Sequence, residues 1–107
     1  MIDRDKTKAR LQAELKDLLR RHSRLSAHLR NTDRDLPADW SEMAQFVQND
    51  EVLEALEERT RHRVDGLVLA IARIEQGIYE TCTSCGGAIE SERLEVLPIS
   101  TICASCA

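Results

Sequence analysis

Aromatic side chains are nearly missing from this chain: Trp40, Phe46 and Tyr79 are the only three in 107 residues. That scarcity, with about a third of the residues charged, excludes a large globular core and suits long exposed helices joined by a narrow apolar seam. Proline is confined to Pro37 and Pro98, and glycine to Gly66, Gly77, Gly86 and Gly87, so long stretches carry no helix breaker. No apolar run approaches the length of a membrane span. The N-terminus does not read as a secretory leader, which points to a reducing, cytoplasmic setting. There is no Ser/His/Asp constellation and no phosphate loop, so the expectation is a protein that is not an enzyme.

What is present is distributed unevenly. Residues 1–34 hold ten Lys/Arg against five Asp/Glu, and residues 35–107 hold five against fourteen. The acidic total argues against nonspecific nucleic-acid binding, which depends on releasing counterions from phosphates. Two antiparallel helices of opposite sign attracting one another explain the asymmetry more simply.

From Asp3 to about Arg30, Leu11, Leu15, Leu18, His22, Leu25 and Leu29 recur at 4-3-4-3-4 spacing, a heptad seam with one polar member. The expected helix is about 40 Å long at 1.5 Å per residue. His22 has no neighbouring His or Cys and reads as a seam or rim residue rather than a ligand. Asn31 to Pro37 breaks the pattern. A second helix is expected from Asp39 or Ser41, either of which can cap it, to about Gln76. Its seam is Leu53, Leu56, Thr60, Val64, Leu67, Ile71, Ile74 and Ile78. Gly66 inside it costs about 1 kcal/mol relative to Ala, and Gly77 is a natural stop. The expected fold is mainly α: an antiparallel coiled-coil hairpin over residues 1–76, with its tip at about 31–44, and a small finger over 77–107. At the tip, Trp40 and Met43 are apolar groups that an isolated hairpin cannot easily bury, unless Trp40 folds back onto Leu29 or Phe46. Asp39 and Glu42 flank them; capping and the helix dipole would explain these acids structurally.

The four cysteines form two C-x2-C pairs, Cys82/Cys85 and Cys103/Cys106, separated by seventeen residues. Each pair puts two thiolates on one tight turn, and two such turns complete the closed tetrahedral shell of one structural zinc ion. Mononuclear iron uses the same spacing, and two disulfides would use the same residues, although a reducing compartment disfavours them. A closed shell leaves no position for substrate. Residues 82–107 contain one Arg, three Glu and no aromatic, a poor surface for a nucleic-acid-binding zinc ribbon. Beside the Cys82/Cys85 knuckle, Gly86 and Gly87 permit the turn that aims N–H groups at sulfur.

Gly77-Ile-Tyr79-Glu-Thr-Cys82-Thr-Ser-Cys85-Gly86, followed by Ile89, Arg93-Leu94-Glu95, Pro98 and Cys103-Ala-Ser-Cys106, resembles the finger of the DksA/TraR family of zinc-finger regulators of bacterial RNA polymerase. Glu80 stands where that family usually has a second glycine. Asp39-Trp-Ser-Glu42-Met-Ala44 resembles the family tip motif D-x-x-D-x-A, with Glu42 in place of the second Asp. The resemblance implies a polymerase-binding regulator that inserts its coiled-coil tip into the secondary channel and alters promoter-complex stability. Asp39, Trp40, Glu42, Met43 and Ala44 would meet the polymerase at the tip, and Arg59 and Arg93 at the base. It further implies a monomer when free and no direct sequence-specific DNA binding. Three positions that are basic in ppGpp-responsive members fall on Gly66, Leu97 and Ala107, so little ppGpp dependence is expected. The competing reading is a zinc-stapled coiled-coil adaptor or homodimer.

Overall fold

The structure, a computed structural model, describes residues 2–22, 25, 27, 29, 36, 37 and 39–107. Among them the chain is helical: α1 is Arg4–Arg21, α2 Trp40–Phe46, α3 Asp50–Ala55, α4 Glu58–Gln76 and α5 Ser91–Val96. Leu25, Ala27 and Leu29 are helical as well. The only β pairing among the described residues is an isolated antiparallel bridge between Thr81 and Ala88. Much of the expected turn, Asn31 to Asp35, lies outside the described residues.

The chain divides into two compact units, one of Met1–Gln12 with Gly66–Ala107 and one of Ala13–Asp65. In the first, Leu11 from α1 and Leu67, Ala70, Ile71 and Ile74 from α4 are buried together with Tyr79, Ile89 and Leu94 of the finger. Lys8 Nζ meets Glu75 Oε1 at 2.9 Å. In the second, Leu15, Leu19, Leu25, Leu29, Leu36, Met43, Val47, Val52, Leu56 and Val64 are buried, and Glu14 pairs with Arg63. Lys8 with Glu75 joins α1 to α4 within the first unit, and Glu14 with Arg63 joins them within the second. The first pair has the polarity that the charge asymmetry predicts; the second reverses it. Both are half-exposed and contribute little to stability.

Most members of the expected seams are buried, Leu11, Leu15, Leu25 and Leu29 in the first and Leu56, Val64, Leu67, Ile71 and Ile74 in the second, but some positions differ. Leu19, not Leu18, is the buried member of the last turn of α1, and His22 lies outside the helix. In the second half Val52 is buried where Leu53 was expected, and Ile78 is 40% exposed. The reason is that the expected second helix is three helices. Asn49 Oδ1 accepts the N–H of Glu51 at 2.9 Å and starts α3 afresh. At the next break Leu56 adopts an extended backbone (φ −99, ψ 140). Each restart rotates the apolar stripe, so one period cannot run through all three.

The end of α4 follows the sequence expectation. Gly77, at φ +76, donates to Ile74 O at 3.1 Å, and Ile78 donates to Arg73 O at 2.9 Å. This pair of bonds closes the last turn of a helix around a left-handed glycine. Gly66 has a packing role that sequence alone did not reveal: a Cβ there would lie 2.8 Å from Ile99 Cδ1. The missing side chain makes the notch in which Ile99 rests.

Candidate functional site

The finger begins where α4 stops. Arg73, 7% exposed, donates from Nη2 to Ile78 O at 2.9 Å and also to Thr81 O. It therefore ties the last helical turn to the strand-like segment entering the first knuckle. Cys82 N donates to Gly87 O at 2.8 Å and Gly86 N to Cys82 O at 3.0 Å, with Gly86 at φ +75. These bonds form the turn that sets Cys82 and Cys85 side by side. The second knuckle is held against the first by Thr83, whose N–H and Oγ1 both donate to Thr101 O, at 2.9 and 3.1 Å. From α5, Arg93 Nε reaches Ile102 O at 3.0 Å. Tyr79, 2% exposed, donates from its hydroxyl to Pro98 O at 2.7 Å. Burial raises the Tyr79 pKa, with Arg10 lowering it and Glu80 raising it by smaller amounts.

All four sulfurs lie within 4.8 Å of one another, and Cys85 Sγ is 3.8 Å from Cys103 Sγ. Two backbone amides point at the cluster, Gly87 N to Cys85 Sγ at 3.4 Å and Cys103 N to Cys82 Sγ at 3.3 Å. Amides directed at sulfur stabilise thiolates and orient them toward a shared cation. Without a cation the thiols would titrate far apart. The amide of Cys85, and then that of Cys103, hold Cys82 down to about 6, whereas the Cys103 side chain pushes Cys106 up to about 12. Four thiolates this close coexist at neutral pH only around a dication. None of the four is in a disulfide. The donor set, its closure and the directed amides fit a structural metal site and offer no open coordination position.

One carboxylate supports the second knuckle. Glu90 Oε2 accepts from Ala104 N at 3.2 Å. Its own backbone N–H, then that of Ala104, hold the Glu90 carboxyl below its ordinary range. A lowered folded-state pKa means that this support is present at neutral pH and is lost as pH falls through the carboxylate range.

The tip candidates separate into two kinds. Asp39 is the N-cap of α2 by its backbone, Met43 N donating to Asp39 O at 2.9 Å, but its carboxylate makes no capping hydrogen bond. Asp39 and Glu42 are exposed, and Trp40 and Ala44 are half-buried. Met43 is 1% exposed, which corrects the expectation of an apolar group left uncovered at the tip: it is a core residue. Of the base candidates, Arg59 is exposed and Arg93 is engaged with Ile102 O. The structural contribution of Arg73 was missed; a lone Arg between Ala72 and Ile74 on an apolar helix face was the available signal.

Comparison with known proteins agrees with this geometry. Residues 77–107 match the prokaryotic dksA/traR C4-type zinc finger. An uncharacterized protein of Aquifex aeolicus (strain VF5) is 32% identical over 71 residues, spanning 66% of this chain and about half, 49%, of that protein's length. The solution structure of the DnaK suppressor protein from Agrobacterium tumefaciens C58 is 29% identical with a TM-score of 0.71, covering 99% of this chain and 92% of that one. Transcription factor DksA2 from Pseudomonas aeruginosa is 27% identical with a TM-score of 0.62, covering 96% and 78%. The finger is similar to the DksA/TraR C4-type zinc finger and the fold to that of DksA proteins, and the four cysteines are placed to form one structural zinc site.

Proposed function

We propose that this protein is a transcription regulator that binds bacterial RNA polymerase in the cytoplasm, without enzymatic activity of its own. It would insert the α2-bearing tip into the secondary channel and alter promoter-complex stability. The observation that carries this reading is the state of Asp39 and Glu42. Both acids are exposed at the start of α2, and the Asp39 carboxylate is not used to cap the helix. On a DksA-like fold, such an acid is available for a charge-assisted hydrogen bond to a basic partner group. With Met43 in the core, the tip contact comes down to Asp39, Trp40, Glu42 and Ala44, with Arg59 and Arg93 supporting the base.

Action as a monomer is supported by the seam. Leu11, Leu15, Leu67 and Ile71 are all 0% exposed within a single chain, so they offer nothing to the coiled-coil self-association of the competing adaptor reading. No helix among the described residues is long and apolar enough to cross a membrane.

The deciding experiment is a polymerase pull-down followed by in vitro transcription. Wild type is expected to bind and to change promoter output; Asp39→Asn is expected to bind and lose regulation. Wild-type protein that fails to bind polymerase ends the proposal, and Asp39→Asn that still regulates fully ends the tip assignment. The same transcription assay tests ppGpp. Gly66 and Leu97 supply no cation, and the space beside Gly66 is filled by Ile99. Adding ppGpp is therefore expected to leave regulation nearly unchanged, and a strong requirement for it contradicts this part of the proposal.

A further inference from the structure

Two helix interruptions meet at His22 and Glu57. α1 ends at Arg21, and His22 donates its backbone N–H to Leu19 O at 3.3 Å. Across from it α3 ends at Ala55 and α4 begins at Glu58. Glu57 is the residue that caps α4: its carbonyl accepts from Arg61 N at 2.9 Å. Its own N–H donates to His22 Nε2 at 3.4 Å. On the other side of the break, Arg61 Nε donates to Leu53 O at 2.6 Å. The carbonyl left over at the end of α3 and the N–H left over at the start of α4 are thus both satisfied by side chains. No Gly or Pro occurs from Ala55 to Glu58, so these two side chains account for the break.

The imidazole is the weaker clasp. An Nε2 that accepts places the neutral ring's proton on Nδ1. His22 Nδ1 is buried and has no hydrogen-bond partner. The closed arrangement therefore holds one long bond with a tautomer whose own N–H is unsatisfied, and an unsatisfied buried donor weakens the state that contains it. Among the described residues, the charged groups flanking the joint are these. On α1, Arg20 neighbours Arg21, which pairs with Asp17 at 3.2 Å. On α3 there are Asp50, Glu51 and Glu54. On α4, Arg61 is committed to Leu53 O, Glu57 stands at the cap, and Glu58 faces His62 at 3.9 Å on the exposed side.

We propose that this joint is an acid-opened hinge, closed by neutral His22 and released when His22 is protonated. A protonated ring carries N–H at both nitrogens and cannot accept from Glu57. It also sets a cation against the positive end of α4. Release frees Glu57 and the α3–α4 joint from the end of α1, while Arg61 keeps its bond to Leu53 O across the break. Neutral His22 makes the bond and protonated His22 does not. The inference stands apart from the polymerase reading, because the joint lies wholly within Ala13–Asp65 and its test uses the free protein.

Nitrogen-15 NMR of the zinc-loaded full chain at about pH 8 and about pH 5.5 tests it. At the higher pH the His22 ring is expected as the Nδ1–H tautomer. At the lower pH the Glu57 amide, corrected for intrinsic exchange, is expected to lose protection several-fold. His22→Gln keeps an acceptor that does not titrate and should hold the same protection at both pH values; His62→Gln should respond like wild type. An Nε2–H tautomer in wild type at the higher pH, or equal Glu57 protection at both, overturns the proposal. So does a His22→Gln protein that still responds. If His22→Gln does not fold, the wild-type tautomer and protection decide alone.

Discussion

Removing the zinc ion is expected to unfold residues 77–107 while leaving most of the helix content in place. The finger has little else to hold it. Apart from the cysteines, its buried apolar side chains are Tyr79, Ile89 and Leu94, with Pro98 also buried, and its one helix, α5, is six residues long. That is far below what an autonomous unit needs, and metal binding commonly supplies the folding free energy of such knobs. The unit of Ala13–Asp65 keeps a core of its own, from Leu15 to Val64, and contains none of the metal ligands. Titration with a strong chelator, followed by amide exchange, should show loss of protection at Cys82, Ile89 and Cys103 with far-ultraviolet circular dichroism only slightly reduced. Cys85→Ser should reproduce this and lower the bound metal well below the expected one ion per chain. A chelated finger that keeps its amide protection would show that the packing, not the metal, holds it.

Arg73→Met is expected to destabilise the zinc-loaded protein by about 1–3 kcal/mol, the cost of leaving two part-buried carbonyls without their charged donor. Met matches much of the volume and apolar stem of Arg, so the loss comes mainly from the freed Ile78 and Thr81 carbonyls. The unpartnered Nε makes Arg73 less than ideal and keeps the estimate below that for a fully satisfied buried cation. Chemical denaturation monitored at Tyr79 should show the midpoint falling. Arg73→Lys should recover only part, since one ammonium replaces a planar fork. A change within about 0.5 kcal/mol, typical of surface substitutions, would mean that the two carbonyls find other donors.

The parts of this molecule that were legible in its sequence are those encoded locally. The C-x2-C turns, Gly77 at the end of α4 and the turn at Gly86 each depend on residues within a few positions, and each is found as expected. The first break in the second half was also legible: Asn49 followed by Asp50 and Glu51 is a capping signature, but the long apolar periodicity masked it. The second break was not. Leu56 and Glu57 carry no local signal, because the groups that satisfy the broken backbone come from His22, 35 residues away, and from Arg61. The burial of Met43 was hidden for a similar reason: a continuous helix would have carried it to the tip surface, and the restart at Asn49 changes which side chains face inward. Gly66 looked like a weak point in a helix and is a seat for Ile99, a relation between distant residues that composition cannot register.

The free carboxylate of Asp39 bears on how this tip can diverge. Its backbone starts α2 and its side chain makes no capping hydrogen bond, so selection on partner contact and selection on stability act largely on different atoms of the same residue. Glu42, exposed one turn further on, has the same freedom. Exchanges among Asp, Glu and Asn at these two positions should be nearly silent in the folded chain and be felt only when a partner is present. The tip can therefore be retuned one acid at a time, with Met43 beneath it holding the scaffold constant.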